Sequence, residues 1–239
     1  FADVAGEVGA RKVAIGHTRD DQVETILMHI LRGTGTSGLR GLEPCVPCQV
    51  RGGVDEGHPS FPITHPRGRE NLLLIRPLLD ITREEALDYC QECGLSPRTD
   101  SSNLSLSFLR NRLRLELLPL LRGYNPNVDQ VLLRLARIAR DDSVFIEEQA
   151  LRLWAEVARQ GNGVVYLDRT KITILPVALQ RQLIRLAIGH VLGDIKDVEA
   201  NHIEAARSLL SKPVGKRFSL PHGLVCRGGY GEVVINTNQ

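Results

Sequence analysis

Apolar and polar positions alternate along the chain with two distinct periods. Residues 11–16, Arg-Lys-Val-Ala-Ile-Gly, are a short apolar run ending in glycine, as a parallel strand buried on both faces would be. Val23, Ile26, Leu27, Ile30 and Leu31 then recur at the spacing of one helical face. Thr18 suits the N-cap, Asp20 and Asp21 fall in the first turn, and Gly33 suits the position after the last turn. A second strand is predicted over Leu72–Arg76, stopped by Pro77. The next helix is capped by Thr82 with Glu85 at capping-box spacing, runs to about Cys93 and ends at Gly94. Residues 36–71 show no period and read as a long loop, a length that is usually functional or mobile.

Another helix is expected from near Leu106. Gly123-Tyr124-Asn125-Pro126 follows as the best domain boundary. A long helix over about 127–160 would bury Val131, Leu132, Leu135, Ile138, Phe145, Leu151 and Trp154, with Asp141-Asp142-Ser143 as a break point. Then come a strand at 164–167, helices at about 176–192 and 199–210, and strands near 217–220, 224–227 and 232–235. The expectation is an α/β domain with a parallel sheet over residues 1–123. A mainly helical domain with a small β end would cover 124–239.

Composition narrows this little. The 239 residues are 42% hydrophobic and 24% charged, as in ordinary globular proteins. No apolar run approaches a membrane span, and no basic region followed by an apolar core opens the chain, so no membrane partner is expected. The chain starts at Phe1 and its single methionine, Met28, lies inside the first helix, so a fragment is expected. The net charge of +2 is uninformative, but its distribution is not: from Arg98 to Arg140, eight arginines face Asp100, Glu116 and Asp129. That local excess is what phosphate binding needs, although a genome-wide preference for arginine would also produce it. Five cysteines without a secretory signal point to reduced thiols and a cytoplasmic location. Cys45/Cys48 and Cys90/Cys93 form two CxxC pairs. Because Cys90 and Cys93 fall inside a helix, buried thiols are preferred to a zinc site, and no metal site is assigned.

The candidate chemistry centres on His17-Thr18-Arg19-Asp20-Asp21-Gln22-Val23-Glu24-Thr25. These residues suit a capped helix start. Two adjacent acids exceed what capping needs, and His17 stands at the carboxyl end of a presumed parallel strand, where open α/β sheets bind ligands. Arg32-Gly33-Thr34-Gly35 is a cationic, glycine-bearing segment suited to a phosphate. Arg76 occupies another strand end, facing either a ligand or solvent. Arg110 and Arg114 share one helical face, Arg112 points elsewhere, and Asn111 needs a specific hydrogen bond to justify its place in a helix. A solvated arginine face is the alternative.

The run Gly-His-Thr-x-Asp-Asp-Gln-x-Glu-Thr, followed by Leu-Arg-Gly-Thr-Gly, resembles the tRNA(Ile)-lysidine synthetases of the PP-loop ATP pyrophosphatase superfamily. Arg76-Pro77-Leu78-Leu79, Asp100-Ser101-Ser102-Asn103 and Arg110-Asn111-Arg112-Leu113-Arg114 match in order, over roughly residues 11–126. The resemblance implies ATP and Mg2+, L-lysine, and a tRNA(Ile) with a CAU anticodon whose wobble cytidine receives lysine at C2 through an adenylated intermediate. It implies catalytic roles for Asp21, Glu24 and Arg32. Nucleotide contacts would come from His17, Asp20, Gly33, Gly35 and Arg76, and tRNA contacts from Arg110, Asn111, Arg112 and Arg114. The resemblance also implies that the domain over 124–239 serves tRNA recognition and substrate specificity. Asp21 and Glu24 would hold the amine or organise magnesium. The superfamily's ATP loop, Ser-Gly-Gly-x-Asp-Ser, does not occur in these residues, so this chain alone is expected to be inactive. A homodimer, a PP-loop tRNA thiolase and a non-catalytic tRNA-binding remnant remain open.

Overall fold

The computed structural model describes residues 2–47, 72–98, 100, 103, 105–193, 195 and 197–237. They divide into two units within one helix, between Arg140 and Asp141.

The first unit opens with α1 (Ala2–Glu7), β1 (Lys12–Ala14), α2 (Arg19–Leu31), α3 (Thr36–Leu39), β2 (Cys45–Pro47), β3 (Leu73–Ile75) and α4 (Arg83–Glu92). Its sheet has the order β1-β3-β2. β1 and β3 are parallel, with Val13 opposite Leu74, whereas β2 runs antiparallel to β3. The sheet is therefore mixed within an α/β arrangement. β1 is not buried on both faces: Val13 is half-buried between exposed Lys12 and Ala14. The loop expected over 36–71 begins with regular structure, α3 and β2. Cys48, and Ser101 and Ser102 of the Asp-Ser-Ser-Asn run, lie outside the described residues.

α5 (Leu109–Arg112) runs through a π-helical turn (Leu113–Leu117) into α6 (Leu118–Tyr124), and α7 (Val128–Val157) follows. The core of this unit gathers Val23, Ile26, Leu27 and Met28 against Leu113, Leu118, Leu132 and Ala136. Ile30 and Leu31 prove exposed, because the last turn of α2 projects past that cluster. Asp141-Asp142-Ser143 does not break α7. Good helix formers on either side carry the helix through, and Ser143 is buried.

The second unit contains the rest of α7, β4 (Ala158–Gly161), β5 (Val164–Asp168), α8 (Arg169–Thr173), α9 (Val177–Leu192), α10 (Ala200–Ser208), β6 (Arg217–Ser219), β7 (Leu224–Gly228) and β8 (Glu232–Thr237). The five strands form an antiparallel sheet of order β4-β5-β8-β7-β6. Its alternate residues Val165, Leu167, Leu224, Cys226, Val233 and Ile235 pack with Leu183, Ile184 and Ile188 of α9. Burial pushes the Cys226 thiol up to about 12, so it is an inert core residue. Trp154 packs at the margin of this core and stacks on His190, ring centroids 5.0 Å apart.

Candidate functional site

The parallel pairing of β1 with β3 brings their carboxyl ends to one edge of the sheet. His17 follows the first strand and Arg76 the second, and the two side chains meet there. Arg76 Nε donates to His17 Nδ1 at 3.1 Å. That bond makes Nδ1 an acceptor, so the imidazole carries its proton on Nε2. The Arg76 guanidinium is buried and also donates to the Glu43 carbonyl at 2.5 Å. Two residues read separately from two strand ends thus form one contact.

Glu43 belongs to a segment that several side chains clamp. Gln22 of α2 donates to the Arg40 carbonyl at 3.3 Å and accepts from the Leu42 N–H at 2.5 Å. Arg140 donates to the Leu42 carbonyl at 3.1 Å and pairs with the Glu43 carboxylate at 3.1 Å. Arg40, itself buried, lies 3.7 Å from the other oxygen of Glu43. Sequence reasoning missed Arg40, Glu43 and Arg140. Gln22 stands inside the central motif and was the one available signal.

The start of α2 holds a second cluster. Asp21 accepts from the Thr18 N–H at 2.7 Å and its hydroxyl at 2.9 Å, closing the helix start on itself. Asp20 reaches across to accept from the Arg83 N–H, at the start of α4, at 2.7 Å. Glu24 is 0% exposed. Its Oε2 receives Arg110 Nε at 2.8 Å, and its Oε1 receives Arg114 Nε at 2.6 Å. Arg110 also meets Asp21 Oδ1 at 3.2 Å, and Arg83 and Arg114 lie 3.8 and 3.9 Å from it. Burial acts to raise the Asp21 carboxyl, but the two Thr18 hydrogen bonds and the charges of Arg110 and Arg83 outweigh it and hold Asp21 below the usual carboxylate range.

The π-helical turn matters to this geometry. Arg110 lies just before it and Arg114 within it, and both converge on one carboxylate. Asn111 donates to the Ser105 carbonyl at 2.8 Å, the specific bond its position called for. Arg112 turns away and sits 3.7 Å from Glu116.

Arg32, Gly33 and Gly35 sit at the far end of α2, about 18 Å along the helix axis from the start of the helix. Arg32 is exposed, and among the described residues its guanidinium makes no ion pair. Gly33 adopts φ +78, and a Cβ at Gly38 would lie 1.8 Å from Thr34 Oγ1, so both positions require glycine. His29 holds this turn, its Nδ1 2.6 Å from the Gly38 carbonyl. The expected site residues therefore separate into a sheet-edge pair, an acid–arginine cluster beside it, and a cationic turn at the other end of the helix.

Among the described residues, no group of three or more His, Cys, Asp or Glu is arranged to hold a metal ion. Asp20, Asp21 and Glu24 all have protein donors on their carboxylates. This donor set does not fit a magnesium ion. Against the expectation of buried thiols, Cys45 on β2 and Cys93 at the end of α4 are exposed, and Cys90 is half-buried. No described helix is long and apolar enough to cross a membrane.

The sequence is similar to those of known proteins. The tRNA(Ile)-lysidine synthase of Dehalococcoides mccartyi is 39% identical over 95% of this chain and 45% of its own length. The proteins of that name from Geobacter sulfurreducens and Clostridioides difficile are 35% and 33% identical over 98% and 94% of this chain. The chain spans a little under half the length of these relatives. The PP-loop domain family matches residues 1–121, which hold the sheet edge, the acid–arginine cluster and the cationic turn. On that match, the chain belongs to the PP-loop domain family.

Proposed function

We propose that the protein to which this chain belongs ligates lysine to the wobble cytidine of a CAU-anticodon tRNA(Ile). The observation that carries this reading is the extent of the similarity. The PP-loop match ends at residue 121, yet relatives named tRNA(Ile)-lysidine synthase align over 94–98% of the chain, the second unit included. The likeness is thus more specific than the PP-loop domain alone, which implies ATP binding.

In this reading the C2 carbonyl oxygen of the cytidine attacks the α-phosphorus of ATP, and pyrophosphate leaves. The ε-amine of lysine then adds at C2, AMP departs with the former carbonyl oxygen, and the ammonium gives up its protons. Adenylation turns a poor leaving oxygen into a good one. Magnesium accompanies the ATP phosphates in such chemistry, but none of the roles assigned here runs through it.

His17 and Arg76 face the nucleotide, with Asp20 fixing the helix start beside them. Asp21, held ionised, receives the lysine ammonium in exchange for one of the guanidinium groups that ring it in the free protein. Glu24 serves by positioning Arg110 and Arg114 toward tRNA phosphate, while Asn111 anchors their helix on the Ser105 carbonyl and Arg112 meets tRNA from another side. Arg32, flanked by Gly33 and Gly35, meets a phosphate distinct from any beside His17, because the length of α2 separates them.

The test is an incubation of the full-length protein with ATP, magnesium, radiolabelled lysine and a CAU-anticodon tRNA(Ile) transcript. Label in the RNA that depends on ATP and on the wobble cytidine is expected. Absence of label from a protein that hydrolyses ATP to AMP overturns the reading.

A further inference from the structure

Gln22 is buried, and both ends of its amide go to one turn. Nε2 donates to the Arg40 carbonyl at 3.3 Å, and Oε1 accepts from the Leu42 N–H at 2.5 Å. The residue between those two is Gly41, at φ +65, where a Cβ would lie 2.7 Å from Gln22 Oε1. The turn is shaped to the amide, and glycine is required there on both counts. A carboxylate only accepts and an ammonium only donates. A primary amide does both, and this turn uses both.

The next two carbonyls of the same turn hold Arg76. Glu43 accepts from its guanidinium at 2.5 Å, and Pro44 accepts from its backbone N–H at 2.9 Å. Arg76 in turn donates to His17. An unbroken run of backbone and side-chain hydrogen bonds therefore joins Gln22 to the sheet-edge pair. A buried glutamine of the core would need only satisfied hydrogen bonds. Gln22 is also the neighbour of Asp21, whose carboxylate meets Arg110 on another side of α2. Successive helical residues point about 100° apart, so one turn of α2 addresses both places at once. It presents Asp21 on one side and, through Gln22, fixes Arg76 and His17 on the other.

We propose that Gln22 is a positioning residue for the ligation, holding the nucleotide side of the site in register with the lysine held by Asp21. The proposal rests on the functional reading above, in which His17 and Arg76 face the nucleotide and Asp21 receives the lysine ammonium. In register, the ε-amine adds at C2 of the adenylated cytidine and AMP leaves, one for each lysine joined. Out of register, water adds at C2 instead. AMP departs with the former carbonyl oxygen, the water oxygen becomes the new carbonyl, and the protons of the water pass to solvent. Cytidine is restored and no lysine is joined. Small displacements suffice, because misplacing reacting groups by about 1 Å costs roughly 100-fold in rate.

The test counts two products. Full-length protein is incubated with ATP, magnesium, radiolabelled lysine and a CAU-anticodon tRNA(Ile) transcript, and both joined lysine and AMP are measured. Wild type is expected to form about one AMP per lysine joined. Gln22→Met keeps the side chain's length and loses both bonds. It is expected to join lysine about tenfold more slowly or worse, and to form about three AMP or more per lysine. Gln22→Glu keeps the acceptor for Leu42 and is expected to fall between the two. Gly41→Ala disturbs the same contact from the turn and is expected to raise the ratio as well, so it decides the matter if Gln22→Met does not fold. A folded variant with wild-type rate and ratio overturns the proposal. So does slower ligation at an unchanged ratio with a lowered melting temperature, which marks a structural role alone. Wild-type protein that joins no lysine removes the functional reading and this role with it. Ligation by wild type with about one AMP per lysine in every variant keeps that reading and removes only the proposal.

Discussion

The two units solve the burial problem in opposite ways. The second is held by a large apolar cluster of more than twenty residues. The first has a cluster of eight, and it buries Thr18, Gln22, Glu24, Thr25, Arg40, Arg76 and Asn111 besides. In the second unit only Ser143 and Gln180 are buried polar residues among those described. Buried ion pairs are a weak source of stability compared with apolar packing, because desolvation offsets much of the attraction. A unit that retains them is organised for something besides stability. The difference teaches where the first unit keeps its polar groups: inside, around the start of α2.

The largest expected effect that sharpens this contrast is at Glu24. Glu24→Ala leaves Arg110 and Arg114 without their shared carboxylate and is expected to cost ~3–5 kcal/mol, read by denaturant unfolding. A loss below about 1 kcal/mol would place the cluster among surface pairs and erase the contrast. In the second unit Leu183→Ala removes a wholly buried side chain and is expected to cost ~2–5 kcal/mol through the cavity it leaves. Next comes the clamp on the 40–43 segment. Arg140→Ala is expected to raise KM for ATP several-fold by loosening the Glu43 carbonyl that orients Arg76, with KM for tRNA little changed; equal changes in both would break the assignment.

The smaller effects are pH-dependent. The carboxyl of Asp21 is held below its ordinary 3.8 in the fold, so its ionised form contributes stability above that pH. The contribution is lost as pH falls through the lowered folded value. Asp21→Asn should flatten that acid limb of a stability–pH curve, and an unaltered limb would contradict the cluster's electrostatics. In the second unit, burial lowers the His190 pKa below its usual 6.5. The unfolded chain takes the proton first, so this contribution fades as pH falls from 6.5 toward the lowered value. Trp154, the single tryptophan, stacks on His190 and reports the event directly. Its fluorescence is expected to titrate with a midpoint below 6.5, and His190→Leu should abolish that step.

What was legible in the sequence follows the same division. Periodicity placed α2, α4, α7, α9, α10 and the strands β5 to β8 to within a few residues, because each carries a regular apolar face or a recognisable cap. It missed α1, α3, β2, β4 and α8, which are too short for any period to register. It also placed Ile30, Leu31, Val131, Leu135, Ile138, Phe145 and Leu151 inside, and all of them are exposed, since a stripe does not say where its partner ends. At the site, His17, Arg76, Asp20, Asp21, Glu24, Arg110 and Asn111 could be named from motif and position. Their contacts with one another could not, because the parallel register and the π-helical turn create them. Arg40 carried no signal in the sequence, and Arg140 stood out only as one of the eight arginines of a local basic excess; their clamp on the 40–43 segment arises when the chain folds back on α2.

The central claim is that the first unit carries the ligation chemistry around the start of α2. Steady-state lysine ligation by the full-length protein, with Asp21→Asn compared against wild type, tests it most directly. The account predicts that Asp21→Asn raises KM for lysine about tenfold or more while KM for tRNA stays put. An unchanged KM for lysine, or an equal rise in both, contradicts it.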